Sequence, residues 1–180
     1  MDRNEATALL EEWIPNENLQ RHCHMVASAM EAYARKLGKD TRTTENWWLA
    51  GLLHDLDWEK KPDEHPNYAL DHIFPDTGLD EEVIEAIRAH APERTGAEPE
   101  SEIARYLYAC DEISGFMHAV ALMRPDGFRG MKAKSVTKKM KDKRFAANVN
   151  RDDIHKGAGL IETDLGDHIV FLAKVFENYG

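Results

Sequence analysis

Residues 47–55 read Trp-Trp-Leu-Ala-Gly-Leu-Leu-His-Asp, and this stretch decides the fold of the chain. Its almost unbroken apolar content predicts a buried helix that begins with Thr43 or Thr44 as N-cap and ends at His54-Asp55. An imidazole and a carboxylate at the end of an apolar helix cost free energy unless a partner satisfies them. The stretch therefore predicts a helical core with a binding site at the end of this helix.

Helical periodicity continues on both sides of this stretch, and no segment shows the alternation of a strand. We predict helices at about 4–13, 17–37, 43–54, 65–74, 81–90, 99–123, 154–163 and 165–178, with Asp80 as N-cap of the fifth. Prolines and glycines predict loops at 57–64 and 91–99. Since 180 residues without a linker or repeat suit one domain, we expect an all-α, single-domain helical bundle over residues 1–180.

The charge of the chain is unevenly distributed. The net charge is −10, yet residues 128–144 hold eight Lys and Arg and a single acidic residue, Asp142. We name residues 128–144 the basic strip. The acidic remainder repels phosphate backbones, so we expect no nucleic-acid partner. A basic strip attracts anionic ligands, although a solvated Lys-rich helix is the simpler interpretation.

No part of the sequence marks a membrane protein or a secreted protein. No apolar run approaches the roughly 20 residues that cross a bilayer, and the polar N-terminus does not resemble a secretory signal. Cys23 and Cys110 lie inside predicted helices and are expected to be small core-packing thiols. We therefore expect a cytoplasmic protein without a membrane partner.

A set of histidines and aspartates recurs at predicted helix ends or among apolar neighbours. Its members are His22, His54, Asp55, His65, His90 and Asp111. Imidazole and carboxylate together suit a divalent transition metal such as Fe, Mn, Co, Ni or Zn. Six such groups exceed what one tetrahedral metal needs, which indicates two metals that share a bridging carboxylate. Two metals about 3.5–4 Å apart can activate a water and stabilise both oxygens of a phosphoryl displacement.

The order of these residues resembles that of the HD superfamily of metal-dependent phosphohydrolases, from about residue 18 to residue 123. The resemblance implies a first metal held by His22, His54, Asp55 and Asp111. It implies a second metal held by His65 and His90, with Asp55 as the bridge. It further implies an HD-type helical core at 18–123, followed by the basic strip and C-terminal helices at 151–178. The implied reaction is hydrolysis of a small phosphorylated substrate, a nucleotide or another phosphate ester, by a metal-activated water. Asp55 would set the metal spacing, and Asp111 would orient that water.

The sequence departs from the branch of the superfamily that acts on cyclic dinucleotides. That branch has Gly and Lys where this chain has Asp57 and Trp58, and its His-Pro-x-x-Gly motif appears at residues 65–69 without the glycine. A single His90 stands in place of a double histidine, and the Gly-Tyr-Pro signature is absent. We therefore do not infer from the resemblance that this chain acts on the substrate of that branch.

Without that lysine, another cation must hold the substrate phosphate. The candidates are Arg94, Lys60 and, in the basic strip, Lys132, although an exposed Arg or Lys is usually only solvated. His118 lies seven residues after Asp111, on about the same helical face, and is the candidate proton donor to the leaving oxygen. A satisfied core or surface histidine is the simpler interpretation of His118.

Two other functions stay open on the sequence. The same ligand pattern is similar to that of di-iron oxygenases within the HD superfamily, which cleave C–C or C–P bonds. A non-catalytic HD module is the third interpretation, with the basic strip contacting RNA or another partner. The helices after Asn150 cover the site or form a homodimer contact, and the sequence does not choose between these roles.

Overall fold

The computed structural model describes residues 1–179, and 67% of the chain is helical. These residues contain ten α-helices and no strand. The helices are α1 (Arg3–Trp13), α2 (Glu17–Lys36), α3 (Thr41–Leu53), α4 (Asn67–His72), α5 (Glu81–His90), α6 (Pro92–Thr95), α7 (Glu102–Ala121), α8 (Ala133–Met140), α9 (Arg151–Leu160) and α10 (Leu165–Val175). The prediction of an all-α fold is confirmed.

The chain divides into two compact units, Met1–Tyr108 and a second unit that begins at Ala109. The first unit contains α1 to α6 and a 3₁₀ turn at Phe74–Asp76. The second unit contains α8 to α10 and a 3₁₀ turn at Phe176–Tyr179, and α7 contributes residues to both units.

Helices α2 and α3 pack closely in the first unit because Gly51 has no side chain. A Cβ at Gly51 would lie 2.7 Å from both the Cα and the backbone N of Ala27. Only glycine permits backbones to approach this closely. The close crossing places the first half of α2 beside the end of α3, where His22 and His54 lie.

The start of α3 differs from the prediction. Neither Thr43 nor Thr44 is the N-cap, since the helix begins at Thr41 and Asp40 caps it. The Asp40 carboxylate accepts a hydrogen bond from the backbone N–H of Thr43 at 2.8 Å, which lowers the pKa of Asp40. A carboxylate also complements the positive end of the helix dipole, so Asp40 is the stronger cap.

Asp80 precedes α5 as predicted, but its side chain does not cap that helix. Its Oδ2 accepts hydrogen bonds from Nδ2 of Asn46 at 2.7 Å and from Nη2 of Arg42 at 3.0 Å. Asp80 therefore links the first turns of α3 to the start of α5, and these hydrogen bonds lower its pKa.

Several helix boundaries differ by a few residues from those predicted. The segment predicted as a loop at 91–99 contains α6, a single turn that begins at Pro92 and stops at Gly96, where φ is +72°. Proline favours the first helical turn, and glycine adopts positive φ readily. Helix α4 is shorter than the predicted 65–74, and α7 starts at Glu102 rather than at the predicted Pro99 or Glu100.

The C-terminal helices of the second unit also begin and end differently from the prediction. Helix α9 occupies 151–160 rather than 154–163, because Asn150 caps it by accepting from the backbone N–H of Asp152 at 3.0 Å. The helix predicted at 165–178 is α-helical to Val175 and ends in the 3₁₀ turn.

The basic strip of the second unit contains α8, which packs against α10. Val136 on α8 is buried, whereas Lys132, Lys134 and Lys138 are exposed. Lys134 and Lys138 thus lie on the solvated side of an amphipathic helix, and the role of the basic strip stays a prediction.

The two cysteines and the apolar character of the helices bear on the class of protein. Cys23 and Cys110 are buried free thiols, and burial raises the pKa of Cys110, so both are core groups as predicted. Within residues 1–179, no helix combines the length and the apolar character that a membrane span requires.

Candidate metal centre

The carboxylate of Asp55 lies between two pairs of histidines in the first unit. Its Oδ2 is 3.4 Å from Nε2 of His54 and 3.7 Å from Nε2 of His22. Its Oδ1 is 3.5 Å from Nε2 of His65 and 3.8 Å from Nε2 of His90. Each carboxylate oxygen therefore faces one histidine pair, which is the arrangement that a bridging ligand requires.

The two nitrogens of each pair are separated by the distance expected for ligands of one metal. Nε2 of His22 and Nε2 of His54 are 3.3 Å apart, and Nε2 of His65 and Nε2 of His90 are 3.2 Å apart. Two imidazole nitrogens at about 2.0–2.1 Å from one metal lie roughly 2.8–3.4 Å from each other in octahedral or tetrahedral geometry. The oxygen of Asp55 and the nitrogens of His65 and His90 all lie within 4.8 Å of one another.

In His54, His65 and His90, the Nδ1 atom is hydrogen-bonded to an oxygen that can only accept. Nδ1–H of His54 donates to the carbonyl of Gly51 at 2.9 Å, and Nδ1–H of His90 donates to the carbonyl of Ile87 at 2.5 Å. Nδ1–H of His65 donates to a carboxylate oxygen at 2.6 Å. In a neutral imidazole with its proton on Nδ1, the Nε2 atom carries a lone pair. These three histidines therefore direct Nε2 to the cluster, where each can bind a metal through that atom when its ring is neutral.

The donor set of the cluster fits a metal ion. The Nε2 atoms of His65 and His90 face each other at 3.2 Å, and two neutral rings with their protons on Nδ1 would repel there unless a proton or a metal cation lies between them. Both imidazoles are buried, each with 3% of its side chain exposed, so water does not readily separate them. Neutral imidazole with carboxylate suits a divalent transition metal, as the sequence predicts.

The carboxylate that holds His65 belongs to Asp57, a residue that the sequence analysis did not identify as functional. Asp57 is fully buried, and its Oδ2 accepts a second hydrogen bond from the backbone N–H of Ala69 at 2.8 Å. Such a carboxylate orients a ligand histidine and makes it a stronger donor to a metal. The only feature of the sequence that could have indicated this role is the position of an acidic residue between Leu56 and Trp58, just after the His-Asp pair.

The electrostatics of the cluster keep Asp55 ionised. Burial acts to raise the pKa of Asp55, but positive charge and hydrogen bonds from the neighbouring histidines, His54 above all, outweigh burial and hold the pKa well below its usual value, and a bound cation would act in the same direction. An ionised carboxylate is the form that binds a metal.

Helix ends position most of the ligand candidates. His54 and Asp55 directly follow α3, His65 lies just before α4, and His90 is the last residue of α5, whereas His22 lies on the second turn of α2. Residues at helix ends leave the regular backbone, so several helices can direct side chains to one point.

The remaining predicted site residues lie in the second unit. Asp111 and His118 are half-buried on α7, and Lys132 is exposed at the residue before α8. Their assigned roles as metal ligand, proton donor and phosphate ligand stay predictions.

The two phosphate-ligand candidates of the first unit have different surroundings. Nζ of Lys60 donates to the carbonyl of Glu12 at 2.9 Å and lies 4.7 Å from the ring centroid of Trp13, so it contacts α1. Nη1 of Arg94 donates to the carbonyl of His65 at 3.1 Å. Arg94 is therefore the candidate that lies against a residue of the cluster.

Comparison with protein families gives one match. The family model of the HD domain matches residues 19–115, which is more than half of the chain and includes all six ligand candidates. Comparison with curated proteins and comparison with solved structures gave no match.

Proposed function

This chain belongs to the HD domain family, and we propose that it is a metal-dependent phosphohydrolase acting on a small phosphorylated substrate. The observation that carries the proposal is the position of Asp55, whose two oxygens face two histidine pairs at 3.4–3.8 Å. Such a carboxylate can hold two metals near the spacing used for phosphoryl displacement.

The proposal assigns His22 and His54 to one metal and His65 and His90 to the other. Asp55 would contribute one oxygen to each, and Asp111 would complete the first site by the resemblance described above. When bound, two divalent metals would lower the pKa of a water and neutralise negative charge on the phosphoryl oxygens.

The residues of the chain prepare this site before any substrate arrives. The Nδ1–H groups of His54, His65 and His90 each have a fixed acceptor, so their rings are already oriented and need no reorganisation. Asp111 orients the attacking water in this proposal. His118 donates a proton to the leaving oxygen, a role that histidine suits near neutral pH.

Metal analysis tests the proposal. The full chain, purified without added metal, should contain about two divalent metals, and His90→Ala should contain about one, because one histidine pair loses a member. His72→Ala is the matched control, since His72 is exposed and its ring contacts Tyr68 in a tilted arrangement, with the ring centroids 4.8 Å apart. One metal in wild type, unaffected by His90→Ala, would show that the second site does not exist.

Activity assays on the same proteins test the reaction. Wild type should hydrolyse phosphomonoesters from a panel of nucleotides and small phosphate esters, and Asp55→Ala should lose both turnover and metal. Full hydrolysis after metal removal would refute the proposal. The same bridged arrangement also suits a di-iron oxygenase, so iron content with O₂ consumption on a polyol or phosphonate, and no phosphate release, would favour that function instead.

A further inference from the structure

Arg94 is fixed against the backbone of the loop that carries His65. It lies on α6, four residues after His90, and its Nη1 donates to the carbonyl of Pro62 at 2.7 Å and to the carbonyl of His65 at 3.1 Å. These two hydrogen bonds, both donated by Nη1, hold the guanidinium in place while the side chain of Arg94 stays exposed. The cation is thus anchored beside a residue of the proposed metal centre.

Trp58 connects Arg94 to the imidazole of His65. The guanidinium carbon of Arg94 lies 5.2 Å from the ring centroid of Trp58, a cation–π distance. The ring of Trp58 stands at 85° to the imidazole of His65, with centroids 4.9 Å apart. Trp58 itself is 41% exposed, so this indole forms part of the open surface next to buried ligands.

Arg94 has no carboxylate partner among residues 1–179, and its Nε and Nη2 make no hydrogen bond to those residues. The neighbouring cations differ in this respect. Nζ of Lys61 pairs with Glu64 at 3.2 Å, and Nε of Arg88 pairs with Glu85 at 3.1 Å. No carboxylate therefore compensates the charge of Arg94, and part of its hydrogen-bonding fork is available to an external anion.

From this placement we infer that Arg94, supported by Trp58, binds the phosphate group of the substrate next to the His65–His90 pair. The inference rests on the proposed function and narrows it to substrates with a terminal, dianionic phosphate. A guanidinium donates two parallel hydrogen bonds to such a group, which a lysine ammonium cannot do. Trp58 is a positioning residue here, because it acts on the phosphate through the guanidinium.

Binding of inorganic phosphate to the full chain loaded with Mn²⁺ tests this inference, with isothermal titration calorimetry as the measurement. We expect Arg94→Ala to raise the Kd on the order of tenfold or more, since charge-assisted hydrogen bonds are lost. Arg94→Lys should also weaken binding clearly, and Trp58→Leu should weaken it less. Arg88→Ala is the matched control: it removes the same charge nearby and should leave the Kd within about twofold of wild type.

The outcomes separate this inference from the proposed function. If wild type binds phosphate and hydrolyses phosphomonoesters while Arg94→Ala binds phosphate equally well, Arg94 is not the phosphate ligand and the proposed function stands. If wild type holds its metals but neither binds phosphate nor hydrolyses phosphomonoesters, the proposed function is wrong, and the inference about Arg94 falls with it. Loss of a metal from Arg94→Ala would also overturn the inference, because it would show that Arg94 only maintains the His65 loop.

Discussion

Replacing Asp57 with asparagine should weaken the metal site formed by His65 and His90 without removing a ligand. Both oxygens of Asp57 accept hydrogen bonds, one from Nδ1–H of His65 at 2.6 Å and one from the N–H of Ala69 at 2.8 Å. Asparagine has a single oxygen, so its NH₂ group must face one of these two donors. If the NH₂ faces His65, the imidazole proton moves to Nε2 and the lone pair needed by the metal is lost.

The size of the effect follows from these two contacts. Loss of a carboxylate partner typically lowers metal affinity about 10–100-fold, which corresponds to about 1.4–2.7 kcal/mol. If the NH₂ faces Ala69 instead, a fully buried N–H has no acceptor, which costs about 1–3 kcal/mol of folding free energy. Asp57→Asn should therefore bind the metal more weakly or be less stable without metal, and both losses occur if both orientations of the NH₂ group are populated.

Competition with a chelator measures the metal affinities, and urea unfolding of the metal-free protein measures stability. The metal at His22 and His54 should stay bound in Asp57→Asn while the second metal is released at lower chelator concentration. Asp63→Asn makes the same chemical change at an exposed residue of the same loop and should behave like wild type. If Asp57→Asn retains both metals with wild-type affinity and wild-type stability, Asp57 does not control His65 and the tautomer argument is wrong.

Three further predictions concern the packing and charges around the site, and urea unfolding measures each of them. Gly51→Ala should cost about 1–3 kcal/mol or more, because its Cβ would meet backbone atoms of α2 at 2.7 Å, whereas Gly159→Ala, with no atom within 4 Å, should be neutral or stabilising. Asp40→Ala should cost about 0.5–2 kcal/mol through the lost N-cap of α3, so an unchanged urea midpoint would contradict that role. Burial acts to raise the pKa of Glu31, but hydrogen bonds from Arg3 and a second arginine outweigh it and lower the pKa. The stabilisation by Glu31 is thus present above its unfolded pKa of about 4.3 and is lost as the pH falls through the lower folded pKa. Wild type and Glu31→Gln should differ at neutral pH and converge in acid, and a constant difference at every pH would contradict this assignment.

The sequence sufficed to predict features that depend on local chemistry. Helical periodicity identified most of the helices but not α6 or α8. The apolar stretch that ends in His54-Asp55 identified the region of the site, because both signals lie within a few consecutive residues. The hydrogen-bond partners of side chains at helix ends were predicted less well than the helices themselves. Asp80 has the residue type of an N-cap, yet its carboxylate bonds to Asn46 and Arg42 on another helix, and no local rule anticipates this.

Long-range geometry decided what the site can do. That each oxygen of Asp55 faces a different histidine pair depends on how α2, α3 and α5 converge, and the close crossing at Gly51 is part of that convergence. The role of Asp57 likewise exists only because the folded loop brings it to His65, eight residues later. Ligand types can be predicted from residue identity, but proton positions and metal spacing depend on distances between side chains far apart in the chain, and only tertiary packing sets those distances.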